Sequence, residues 1–202
     1  MIRTETKSLS LEALVAAAAA VAILAGTGVR AADDTTATPQ QESTKDIILV
    51  RTFDAPVEAV WRAWTDPEQV VRWWGPKGYT SPTAKIDFRE GGRYVFAMRA
   101  PAEHGGHETY TAGVFRRIVP QERIEMTQAL SDADGNPIDP AKLGMPPGFP
   151  AEIPTVLIFK PVAGKTTLTV VESGWTPGQM LDYSEAGMSE CLDKLAVALA
   201  AP

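Results

Sequence analysis

The chain has little of what many active sites are built from. Among 202 residues there is one cysteine, Cys191. That excludes an intramolecular disulfide, and any zinc or iron–sulfur site assembled from several thiolates. There are two histidines, His104 and His107, and no Ser-His-Asp order, nucleophile elbow or metal motif accompanies them. Positive charge is also scarce. The net charge is −6 and lysines and arginines nowhere cluster, so no nucleic-acid partner is expected.

Long apolar runs are missing too, except for one near the start. Leu14 to Ala25 follows Arg3 and Lys7 and precedes the small residues around Val29-Arg30-Ala31. That is the layout of a secretory signal peptide over residues 1–31. The alternative is an uncleaved anchor, since residues 9–29 just reach the ~20 residues needed to span a bilayer. The run is mostly alanine, which inserts poorly and favours cleavage. The expectation is an exported domain, periplasmic or secreted. In the anchored alternative it is tethered in the cytoplasmic membrane and touches lipid only through that segment. Residues 32–45 carry no large apolar side chain and read as a disordered linker. Residues 46–202 are the domain.

Within it, Trp61 to Pro76 holds four of the five tryptophans. The spacing predicts a short helix, a break at Asp66-Pro67, a second short helix and a stop at Gly75-Pro76. For the adjacent pair Trp73 and Trp74, helical geometry predicts one ring in the core and the other at a pocket mouth or outer patch. Strands are predicted from Ile47 to Phe53 and from Ala84 to Arg89. Five more follow, beginning at Arg93, Tyr110, Arg123, Thr155 and Thr166, by alternation and turn signals. Glu103-His104-Gly105-Gly106-His107-Glu108 reads as a surface hairpin, not a metal site, because its loop fixes no ligand. Asp132 to Asn136 reads as an Asp-Gly turn lacking the later ligands of a calcium loop. Pro137 to Pro154, with six prolines, is long enough to be a lid or flap. From Thr176-Pro177 onward a long helix carries one apolar stripe, with Gly187 and Cys191 inside it. The expected fold is α+β: a helix-grip arrangement, with a curved seven-stranded antiparallel sheet around the long C-terminal helix and two short helices closing one end.

A sheet gripping one helix leaves a gap that is the default ligand site. Candidate lining residues are Trp73, Trp74, Tyr94, Phe96, Met98, His107, Tyr110, Met180, Tyr183 and Met188. The leading expectation is binding of a small hydrophobic or amphipathic ligand without turnover, cofactor or metal. The alternatives are a cyclase- or hydrolase-like enzyme using His107, Asp87 or Glu172, and a protein-interaction module using Trp73 or Trp74 with loop 137–154.

The segments RTFDAPVEAVWRAWTDPEQVVRWWGP, DFREGGRYVF, GVFRRIVPQERI, DADGNP and ECLDKLAVAL resemble the family of activator-of-heat-shock-protein-90-ATPase homologues. That family belongs to the START-like, birch-pollen-allergen-like (SRPBCC) superfamily. The resemblance covers about residues 46–200 and implies the helix-grip fold. It implies no single activity, since the superfamily holds lipid carriers, polyketide cyclases, hydrolases and cochaperones. It carries over no catalytic set. Such domains often have Gly-Trp in the last helix. Here Met188 follows Gly187, which implies a roomier, more deformable pocket.

Overall fold

The computed structural model describes residues 44–201. The expected leader and nearly all of the expected linker lie outside the described residues. Strand β1 spans Lys45–Phe53, helix α1 Val57–Thr65 and the one-turn helix α2 Pro67–Val70. Strands β2 (Ala84–Ile86), β3 (Arg93–Arg99), β4 (Glu108–Val119), β5 (Arg123–Ser131), β6 (Ile153–Val162) and β7 (Lys165–Trp175) follow, and helix α3 spans Gln179–Ala200. The strands form one seven-stranded sheet in the order β1-β7-β6-β5-β4-β3-β2, with every neighbouring pair antiparallel. This is the helix-grip arrangement expected from the sequence.

Boundaries differ where local chemistry differs. Strand β2 stops at Ile86 because a tight turn follows: the Arg89 N–H donates to the Asp87 carbonyl at 2.9 Å and the Gly92 N–H to the Arg89 carbonyl at 2.8 Å. Helix α3 starts at Gln179 instead of Thr176, because Gly178 occupies the cap with φ +148, a backbone state open to glycine. Helix α2 begins as read from sequence: Asp66 accepts from the Glu68 N–H at 2.9 Å, with Pro67 at the first position.

The two adjacent tryptophans correct the expectation that one faces outward. Helix α2 is a single turn, so Trp73 and Trp74 lie beyond it in a turn that sends both rings inward. Trp73 is 0% exposed and Trp74 5%. They interlock with Trp64, with ring centroids 4.7 to 6.4 Å apart, and Trp73 Nε1 donates to the Ala63 carbonyl at 2.9 Å. Each indole burying on the order of 200 Å² contributes about 5 kcal/mol gross. Helix α3 clamps this turn: Lys194 Nζ donates to the carbonyls of Trp74, Gly75 and Tyr79 at 3.3, 2.8 and 2.8 Å.

Burial on the sheet's inner face falls into two clusters. The larger joins α1, α2, the tryptophans, the sheet centre and the second half of α3 through Met188, Cys191, Leu192 and Leu195. The smaller lies at the other end and holds Ile47, Ile153, Trp175 and Leu181. Phe149 of the proline-rich loop packs edge-on against Trp175 there, with ring centroids 5.3 Å apart, so that loop covers this end.

Two glycines on the inner side behave oppositely. A Cβ on Gly113 would lie 1.7 Å from the Thr127 carbonyl and 2.9 Å from the Tyr94 ring, whose hydroxyl donates to that same carbonyl at 2.8 Å. Gly187 is half-buried in α3, yet a Cβ there would meet nothing within 4 Å. We expect Gly113→Ala to destabilise by about 3 kcal/mol through forced separation of β4 and β5. Gly187→Ala should stabilise by about 0.5–1 kcal/mol, as alanine does in a helix interior. Urea unfolding of both variants checks the pair.

Candidate functional site

Strand β7 alternates Thr166, Leu168, Val170 and Glu172 on its buried side. Period two therefore carries Glu172 inward, and it is 2% exposed. Its ladder neighbours are Ile47 on β1 and Thr155 on β6, and Thr155 is equally buried. Beyond Glu172 the register shifts: Ile47 faces Glu172 but Lys45 faces Trp175, leaving one extra residue on β7. Gly174, with φ +90, absorbs it. The bulge re-aims Trp175 to the same side as Glu172, where it is buried in the smaller cluster.

Glu172 and Thr155 thus form a polar seam. On β7 it lies between Val170 of the larger cluster and Trp175 of the smaller, and on β6 between Leu157 and Ile153. On α3, Ser184 and Gly187 fall between Leu181 and Met188 and are half-buried. On β5 the register puts Gln128, also half-buried, opposite Ile153. The open space beside Gly187 belongs to this stretch of helix.

The acid is poorly satisfied. Glu172 Oε1 and Trp175 Nε1 are both buried without a hydrogen-bond partner. Trp175 is near enough to favour the carboxylate slightly, but burial dominates and raises the Glu172 pKa from 4.5 to about 7. Its charge is felt on both walls. It adds to the burial that pushes the Tyr94 hydroxyl up, and to the burial that pushes the Cys191 thiol up to about 12. Glu172 therefore lies within electrostatic reach of Tyr94 on β3 and Cys191 on α3, with Trp175 beside it. Thr155 Oγ1 donates to the Ile153 carbonyl at 3.3 Å, which leaves its lone pairs free to accept.

The candidates named from sequence distribute as follows. Trp73, Trp74, Tyr94 and Phe96 are core residues of the larger cluster, with Met98 packed against it. Met188 is buried in that cluster and Met180 is buried near the start of α3. Tyr183 is half-buried and accepts from Gln179 Nε2 at 2.8 Å. Two candidates lie elsewhere. Tyr110 pairs with Ala97 and Ser131, so period two puts it on the outer face, where its hydroxyl donates to Glu108 beside Arg99. His107 is exposed ahead of β4. Of the three acid or base candidates, Asp87 is exposed and paired with Arg89 at 2.8 Å, and only Glu172 is inside. Sequence reasoning did not select Thr155, Gln128, Ser184 or Trp175 for the site. Among the described residues, no three His, Cys, Asp or Glu side chains converge as for a metal.

A curved antiparallel sheet gripping one long helix, with an internal seam between them, defines a START-like helix-grip protein. A model of the Activator of Hsp90 ATPase homolog 1-like protein family matches residues 54–200, and the chain belongs to that family. The chain is similar to a solved protein from Chromobacterium violaceum at 27% identity, covering 78% of this chain and 98% of that one, with a TM-score of 0.61. It is similar to the AHSA1 protein from Silicibacter pomeroyi at 24% identity, covering 77% and 98%, with a TM-score of 0.61. A solved protein from Nitrosomonas europaea is 24% identical over 77% and 94% of the two chains, with a TM-score of 0.60. No curated protein matches the chain.

Glu172 gives stability a defined pH dependence. Its folded pKa is raised, so between pH 4.5 and about 7 the folded chain holds a proton that the unfolded chain has released. The contribution is fully present below pH 4.5 and is lost as pH rises through about 7. Tyr94 and Cys191, which face Glu172, keep their protons throughout this range. We expect urea unfolding to show Glu172→Gln gaining on the unaltered chain by on the order of 3 kcal/mol between pH 4 and pH 8.

Proposed function

We propose that this chain is an exported carrier or sensor that holds a small apolar or amphipathic molecule between the sheet and α3. The observation that carries this reading is the seam. An unpartnered acid buried between two apolar clusters costs about 1–3 kcal/mol against a well-packed apolar side chain. On α3, a Cβ at the half-buried Gly187 would meet nothing within 4 Å, which leaves room on the helix stretch between the two clusters. The family supplies the grip architecture and is compatible with ligand binding, while its members' activities are too diverse to choose among. The export part rests on the sequence pattern of residues 1–31.

A second reading is favoured by one observation: an acid with pKa about 7 is poised for proton transfer near neutral pH. Turnover would need a second reacting group. Cys191 stays protonated, and Tyr94 already donates to Thr127. The cyclase- or hydrolase-like activity is therefore secondary. A docking role through Trp73 or Trp74 loses its anchor, because both rings are buried.

Native mass spectrometry of the chain purified without detergent tests the carrier reading. We expect an adduct of a few hundred daltons. Gly187→Leu, which places an isobutyl group in the open space beside α3, should lower adduct occupancy about tenfold with unchanged or raised thermal stability. Equal occupancy in both proteins would remove the seam as the binding place.

A further inference from the structure

We propose that Glu172 anchors the ligand's polar end, and that the ligand is an apolar molecule carrying one primary ammonium group. This inference rests on the carrier reading above. Glu172 Oε1 is buried with no close hydrogen bond formed; the neutral indole N–H of Trp175 is the in-chain donor beside it, so what the ionised carboxylate lacks is a positive charge. The nearby basic side chains do not supply it. Lys194 is held by three carbonyls. Arg51, on the inner side of β1, pairs with Asp193 at 3.0 Å and donates to Ser189 at 3.1 Å. Neither is free to neutralise Glu172, so a cation bound there would come from outside the chain.

The surroundings discriminate among donors. The Trp175 indole lies beside Glu172, and Tyr94 and Cys191 are close enough to feel its charge. Aromatic faces attract a cation, whereas a neutral hydroxyl gains little from them. A fatty acid would bring a second negative charge to Glu172 in a chain of net charge −6. A quaternary ammonium has no N–H and would leave Oε1 unpaired. A primary ammonium has three. It can serve both Oε1 and Thr155 Oγ1, which sit on directly paired strand positions. The apolar clusters on either side of the seam suit the rest of the molecule.

Isothermal titration of the full chain at pH 8 with four ten-carbon probes tests this: decylamine, decanol, decanoate and decyltrimethylammonium. We expect decylamine to bind at least tenfold more tightly than the other three. In E172Q its affinity should fall to that of decanol. Thermal unfolding verifies that E172Q is folded, and the ranking of head groups on the unaltered chain needs no variant. If decanol or decyltrimethylammonium matches decylamine, or if decylamine keeps its lead in E172Q, the ammonium anchor is overturned while the carrier reading stands. If no probe binds the folded chain, the carrier reading falls and the anchor with it.

Discussion

One helix has to cover the inner face of seven strands. A helix is about 10 Å wide and strands repeat every ~4.8 Å, so α3 alone spans roughly two of them. The remainder of the inner face needs other cover. At one end the tryptophans of the α1–α2 turn supply it, held to α3 by Lys194 across three carbonyls. At the other end Trp175, Leu181 and Phe149 do so. Between these two solutions lies the seam, and its most polar member is Glu172. The site is thus a consequence of how the sheet is closed.

The same geometry sets the electrostatics. Water is excluded by apolar packing on both sides, so Glu172 is desolvated, and its shift comes chiefly from burial. Thr155 shares the seam but satisfies its hydrogen on its own strand. Cys191 is buried within reach of the same charge and remains a protonated, unreactive thiol. One acid with unmet bonding capacity, set among rings and sulfurs, is better suited to holding a molecule than to transforming it.

Much of this was legible in the sequence. The strand and helix order follows from alternation, turn glycines and the amphipathic stripe of α3. The inward position of Glu172 was also readable, because Leu168, Val170 and Glu172 share one parity. Tyr110 was misplaced for want of the same count: Thr109 and Thr111, not Tyr110, pair with Met98 and Phe96 on the inner face. Trp175 could not be placed by parity, since the bulge at Gly174 reverses it. The double tryptophan was misjudged because a helix was assumed to run through both positions, when it ends at Val70. Ser184 and Gln128 became visible only with the packing of helix on sheet, which no local pattern encodes.

The central claim is that Glu172 is a desolvated acid held inside the grip. The most direct measurement is the titration of its side-chain carboxyl carbon by NMR in the folded chain, assigned by comparison with Glu172→Gln. The account predicts a midpoint near pH 7. A midpoint near 4.5, as for a glutamate in water, would mean the carboxylate is solvated or paired, and the seam as described would not exist.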